Sequence, residues 1–450
     1  MTILRTATGL SLAAGLLAST AVAAFAEDYT FRVWAGGSGP VDDYRTIAIE
    51  MAADILEREA AIRGEELTIT IEGRTSFDGW DGFKQAVTLA AEAGDAPEIL
   101  VTSHTDIAPW SQAGIIVPVE DYVNLDAWPL KDIFPNLMEI GSFGGTVWGI
   151  PQDFESRPFF FWKEHMRAIG YSDAEIDALP AAVQNGEYTL QNVLEDAIAM
   201  QEAGVVEPGY GFYPRVSNGP DYWQFYLSFG GTIEEDGQLV FDSAAMQDFY
   251  QFFADAVDAG VTRQNHIGTP WDQWYSEVAS GRAGLWHGGT WHYARYTGRE
   301  GLEDFFNTIQ FTLIPAGDED GAANTITHPL MYLITDQGDE DKHQIAAELV
   351  TIASEPRINT LHAIRSAHLS IARSQSDIDL FSNDRWASEA TERLLPYASA
   401  QPNNTDFGAY IDVMWSNLEA TWTGRKTAEE AVADAEAELV ATLGDAITIR

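Results

Sequence analysis

Cysteine is absent from all 450 residues. That rules out disulfides, thiolate metal sites, a cysteine nucleophile and the lipidated cysteine that tethers many exported proteins. Lysine is nearly as scarce, with five of the 25 basic residues against 69 Asp and Glu and a formal charge of −44. A field of that sign repels nucleic acid and anionic membrane surfaces, so neither is expected as a partner. Beyond residue 26 no run approaches the roughly 20 continuous apolar residues of a membrane span. Internal repeats are missing too, which argues against a β-rich adhesion module. Ser38 sits between glycines, but Gly39-Pro40 after it breaks the nucleophile-elbow pattern G-x-S-x-G. No phosphate-loop lysine and no G-x-G-x-x-G follow the same glycine run. His287 and His292 are five apart and His362 and His368 six apart; neither pair meets the i, i+4 spacing of helical metal ligands, so no metal and no cofactor are expected.

What is present begins with a processing segment. Arg5 supplies a positive start, Leu10 to Leu17 an apolar stretch, and Ala24-Phe25-Ala26 a small-x-small cleavage site before Glu27. Residues 1–26 are therefore expected to be a cleavable leader, and the mature chain a freely diffusing periplasmic protein. The length suits two lobes, each able to bury a core of its own.

Tyr29 to Trp34 alternates as a strand does, and the following helix carries Ile47, Met51, Ala52, Ile55 and Leu56 on one face. Leu67 to Ile71 is a second strand, Phe83, Val87 and Ala90 mark a second helix, and Ile99-Leu100-Val101 reads as a strand buried on both faces. This alternation implies an α/β fold with a mainly parallel sheet, whose ligands gather beyond the carboxyl ends of the strands. The loops 34–40, 74–80 and 103–106 should share that rim. The texture changes at Trp148-Gly149-Ile150-Pro151. Residues 27–148 and 306–362 are assigned to a first lobe, and 149–305 and 363–450 to a second. Thr427-x-x-Glu430 opens the last helix with a capping box.

Six blocks in order resemble the extracellular solute-binding proteins of ABC importers, in particular the carbohydrate-binding, maltose-binding-protein-like group. They are Phe83-Lys84-Gln85-Ala86; Ala93-Gly94-Asp95-Ala96-Pro97-Glu98-Ile99, with Glu98 where the family usually has Asp; Ala113-Gly114-Ile115-Ile116-Val117-Pro118; Gly145-Thr146-Val147-Trp148-Gly149-Ile150-Pro151; Phe160-Phe161-Trp162-Lys163; and Ala283-Gly284-Leu285-Trp286 with Gly288-Gly289-Thr290-Trp291. The resemblance implies two α/β lobes that close on a ligand by hinge motion, a small-molecule carbohydrate as ligand, the membrane subunits of an ABC permease as partner, and a monomer that catalyses nothing.

A sugar needs paired donors and acceptors for its hydroxyls and an aromatic face for its C–H patches. Trp291 follows two glycines that admit close approach and matches the family tryptophan that stacks on sugar rings. Gly289 and Thr290 belong to the same block. Trp34 and Ser38 lie at the first rim, Trp271 at the start of a helix, and Trp223 after the turn signal Asn218-Gly219-Pro220. His104 and Thr105 follow the buried strand, Gln152, Asp153 and Arg157 follow the hinge block, and His328 precedes a strand. Arg74, Arg157, Arg215 and Arg365 keep an anionic sugar derivative open as an alternative ligand. An exported glycosidase or polysaccharide lyase remains the rival of another class, since 69 acidic residues always allow a carboxylate pair.

Overall fold

The computed structural model describes residues 27–37, 44–318 and 321–450; the leader and Ser38 lie outside them. Glu27–Ala35 (β1) alternates as expected, with Phe31, Val33 and Ala35 fully buried. It is followed by α1 (Tyr44–Arg63), β2 (Leu67–Arg74), α2 (Gly79–Glu92) and β3 (Ile99–Ser103). β2 pairs parallel to β1 with Phe31 opposite Ile71, and β3 lies parallel on the other side with Val33 opposite Ile99. Every residue of β3 is buried, as a strand covered on both faces must be. The buried stripe of α1 is Ala48, Ile49, Ala52 and Leu56. Ile47, Met51 and Ile55 are only partly covered, so small side chains make the closest contact.

Five more strands place the site: β4 (Gly149–Pro151), β5 (Phe159–Trp162), β6 (Leu285–His287), β7 (Ile309–Thr312) and β8 (Leu330–Ile334). β8 enters antiparallel between β3 and β4, completing a five-stranded sheet in the order β2-β1-β3-β8-β4. Gly149 fits a tight place, where a Cβ would stand 2.6 Å from the Leu333 side chain and 3.3 Å from the Tyr332 carbonyl oxygen. A second sheet, β6-β5-β7, is antiparallel throughout, with Phe160 opposite both Trp286 and Phe311. The Phe160 and Trp286 rings stack at 5.3 Å.

Two strands fall in the other sheet from the one expected. Gly149–Pro151 closes the first sheet rather than opening the second, and Ile309–Thr312 pairs with β5 rather than returning to the first. Both are short apolar runs whose partners are set by long-range packing. The chain first returns to the five-stranded sheet at β8.

The rest is mainly helical. α3 (Ser243–Asp258), α4 (Pro356–Ser366), α5 (Phe407–Trp422) and α6 (Ala428–Leu443) are the parts used below. α3, α5 and α6 pack on one another: Phe253 stacks on Trp422 at 5.3 Å, and the Tyr250 hydroxyl donates to the Met414 carbonyl at 3.0 Å. The capping box of α6 is formed, Glu430 N–H donating to Thr427 Oγ1 and Thr427 N–H to the Glu430 carboxylate. No helix among the described residues is long and apolar enough to cross a membrane.

Candidate functional site

Between β4 and β5 the chain passes from one sheet to the other in seven residues, 152–158, every one buried. Buried polar groups need partners, and the crossing finds most of its own from other segments. Gln152 N–H donates to the Leu330 carbonyl at 2.8 Å and its side chain to the Arg45 carbonyl at 2.7 Å. Asp153 Oδ1 accepts from Leu330 N–H at 2.9 Å. The Ser156 and Thr325 hydroxyls meet at 2.8 Å. Arg157 Nη2 pairs with Glu155 Oε1 at 2.6 Å.

Trp291 lies against this crossing. A Cβ on Gly289 would fall 2.1 Å from the Trp291 ring, so glycine there lets the indole fold onto its own backbone. Thr290 N–H donates to the Ser156 carbonyl at 2.9 Å, tying the Trp291 loop to the crossing. The Arg157 and Arg215 guanidinium carbons stand 5.0 and 5.7 Å from the Trp291 ring centre, and Arg215 is 4.4 Å from that of Trp271. His368 stacks on Trp291 at 6.2 Å. Asp221 lies between the two arginines, at 3.0 Å from Arg215 Nε and 3.5 Å from Arg157 Nε. Burial pushes its carboxyl up, but the charges of Arg215, Arg157 and His287 outweigh that and hold it below the ordinary aspartate value. Two guanidinium groups are thus matched by the carboxylates of Asp221 and Glu155 beside two half-exposed indoles. The arrangement is rich in donors and acceptors and close to electrically neutral.

A second group sits at the carboxyl end of β3. His104 and His328 rings meet edge to face at 5.0 Å. His328 bridges Ser103 Oγ at 2.7 Å and Gln401 Oε1 at 2.6 Å, while His104 Nε2 reaches the Gln401 carbonyl at 3.1 Å. The Thr105 hydroxyl is 2.7 Å from Ser103 Oγ. Burial pushes the His104 imidazole down to about 4, and desolvation takes His328 well below its ordinary value although part of its surface stays open. Both rings are therefore neutral at physiological pH, each with one donor and one acceptor.

Trp34 stands apart from both groups, tilted on Phe77 at 5.5 Å with the Arg74 guanidinium 4.9 Å from its ring centre. Phe77 N–H donates to the Gly37 carbonyl, so the first two loops do share a rim. The loop-edge expectation for Trp223 is corrected: it opens the short helix Trp223–Ser228, is 3% exposed, and packs against Phe407 and Tyr410. A turn does precede it, but α5 covers the ring. Sequence reasoning passed over Asp221 as a site residue and gave the segment 401–406 no role. A cavity of about 460 Å³ is lined by that segment's Asn403 to Asp406, by Ser142 to Gly144 and by Glu234, Gly237, Gln238 and Ala446. None of the sequence candidates lines it. It adjoins the histidine group through residues 401–403, and Asn403 ties it to the first sheet's side by donating to the Ser142 carbonyl at 3.0 Å.

Two sheets joined by a short buried crossing, with polar and aromatic groups gathered at the junction, define the two-lobed architecture of periplasmic binding proteins. Solved structures share it. The GacH receptor of Streptomyces glaucescens, described with acarbose, aligns at 14% identity over 93% of this chain and 99% of its own, TM-score 0.72. Maltose-bound MalE3 of T. maritima aligns at 15% identity over 91% and 99%, TM-score 0.72. The sugar-binding protein MalE of Xanthomonas citri aligns at 17% over 92% and 97%, TM-score 0.73. Among curated proteins no relative matches. Residues 65–351, more than half of the chain, match the bacterial extracellular solute-binding protein family, and the chain belongs to it.

Proposed function

We propose that this protein is the periplasmic substrate-binding component of an ABC sugar importer, holding a neutral mono- or oligosaccharide between its lobes and delivering it to the permease. The observation that carries the sugar reading is the group at Trp291: two indoles for C–H stacking, with Arg157 and Arg215 already neutralised by Glu155 and Asp221. Guanidinium groups so paired still offer N–H donors to hydroxyls, whereas an anionic sugar would have to compete with two resident carboxylates. The sugar ligands named for the structural relatives, maltose among them, support the same class. In this reading the two sheets are the cores of the two lobes, the crossing 152–158 is part of the hinge, and the ligand draws the lobes together.

The test is a thermal-shift screen against neutral sugars, polyols, uronates, sugar phosphates and sulfonates. A ligand at 100 times its Kd adds about 2.7 kcal/mol of stability. A neutral sugar should raise the midpoint, and Trp291→Ala should weaken that ligand at least ~10-fold, consistent with loss of a stacked ring worth about 1.5 kcal/mol. Response to anionic sugars alone would transfer the site to Arg157 and Arg215 as charge receptors. No response across the panel would remove the transport reading, and release of reducing sugar by the protein would then favour a glycosidase.

A further inference from the structure

At the same crossing, Asp153 faces two histidines from the other end of the chain. His362 lies on α4, and His368 follows two residues after its end. Ala367, between them, has φ +57°, a left-handed conformation that a residue with a Cβ adopts only when its surroundings demand it. That turn brings His368 back beside Asp153, and Leu369 N–H donates to the Phe154 carbonyl at 2.6 Å to hold it there. The ligand atoms of Asp153, His362 and His368 all lie within 4.8 Å of one another. Asp153 Oδ2 is 3.5 Å from His362 Nε2 and 3.6 Å from His368 Nε2, and Glu155 Oε2 is 3.5 Å from His368 Nε2.

These separations are too long for charge-assisted hydrogen bonds, which draw N and O to about 2.7–2.9 Å. They match ligands sharing one ion: bonds of about 2.0–2.2 Å in a tetrahedral array put neighbouring donors roughly 3.3–3.6 Å apart. The unused valences also converge. His362 Nδ1 lies 3.4 Å from the Tyr44 carbonyl, which places the ring proton on that nitrogen and turns the Nε2 lone pair toward Asp153. Asp153 Oδ1 is occupied by Leu330 N–H, while Asp153 Oδ2 and His362 Nε2 have no hydrogen-bond partner although both residues are buried. Two acceptors facing each other in a buried interior are satisfied by a cation shared between them, and the Tyr44 carbonyl and Leu330 N–H orient His362 and Asp153 as outer bonds do in established metal sites, while His368 Nδ1 has no such partner.

We propose that Asp153, His362 and His368, with Glu155 at their edge, bind one divalent transition-metal ion at the crossing between the two sheets. Imidazole and carboxylate donors without sulfur fit zinc, cobalt or nickel, rather than calcium or magnesium, which take oxygen ligands. The spacing argument that set His362 and His368 aside assumed a single continuous helix; the turn at Ala367 removes that assumption.

The experiment is titration of the EDTA-dialysed full-length chain with Co²⁺, read by its visible ligand-field absorption, then displacement by Zn²⁺. One equivalent should bind with a low-coordinate nitrogen and oxygen spectrum, and Asp153→Asn and His362→Gln should each weaken it about 100-fold or more. His368→Gln, outside the helix, gives the same reading if either of those fails to fold. Wild-type protein that takes up no Co²⁺ or Zn²⁺ saturably, or uptake unchanged in the folded variants, overturns the site.

Discussion

Asp221 contributes one carboxylate to two largely buried guanidinium groups, and its worth lies in what its loss would leave behind. Breaking a buried pair strands the opposite charge, at a cost of about 3–5 kcal/mol. Asp221→Ala is therefore expected to lower the urea midpoint by an amount in that range, and a loss under about 1 kcal/mol would mean that solvent already reaches Arg157 and Arg215. Glu98 has a different environment. Burial pushes its carboxyl up, but Arg32 N–H, its own backbone N–H and the side chains of Lys342 and Arg32 hold it lower than an ordinary glutamate. The exposed Asp95 shares Arg32 with it. A depressed folded value means stability that is present above the unfolded value of about 4.5 and lost as pH falls through the folded one. Glu98→Gln should cost about 1.5–3 kcal/mol near neutral pH, and the gap from wild type should close in acid; a gap independent of pH would assign the cost to packing instead. At this scale the sequence was informative where chemistry is local. Glu98 was visible as a departure from the family block, and Trp291 as a ring after two glycines. Asp221 was not, because its importance comes from two arginines distant in the chain.

Elements were legible in proportion to their periodicity. The alternation of β1, the wholly apolar β3 and the capping box of α6 were all readable, since each signal lies within a few residues. Sheet membership was not, because Gly149–Pro151 and Ile309–Thr312 are too short to carry a period and are assigned by partners far away. Close approach between β6 and its neighbours gives a test at this scale. A Cβ at Gly284, just before β6, would stand 2.5 Å from the Gly211 carbonyl oxygen, a backbone atom with no freedom to swing aside. Gly284→Ala should destabilise by about 1–3 kcal/mol through overpacking. Gly298, at the end of the helix His292–Gly298, has nothing within 4 Å of its Cβ position. Gly298→Ala is expected to be neutral or stabilising by up to about 1 kcal/mol, and equal effects at the two sites in thermal unfolding would contradict the packing described for β6.

For the molecule as a whole, the proposal of capture between lobes makes a geometric claim. Saturating ligand should reduce the radius of gyration measured by small-angle scattering, because contacts to both lobes favour the closed form. An unchanged radius in the presence of a ligand proved by thermal shift would leave binding intact but remove hinge closure. The two-lobed plan itself was legible through the ordered blocks of the resemblance. The arrangement of its ligand groups was less so. Candidates chosen one at a time proved to be scattered, most of them around Trp291, His104 and Trp34 but Trp223 beneath α5, and only folding decides which of them share a wall.

The strand β8 also sets an order in time. It stands in the interior of the five-stranded sheet, with β3 on one side and β4 on the other, yet it is made long after both. As the chain emerges from the ribosome, the first lobe holds two unpaired strand edges until Leu330–Ile334 arrives, and no amount of local propensity in the earlier residues can close that gap. Contacts so distant in sequence delay folding, so completion of this sheet has to wait until nearly three-quarters of the chain has been synthesised.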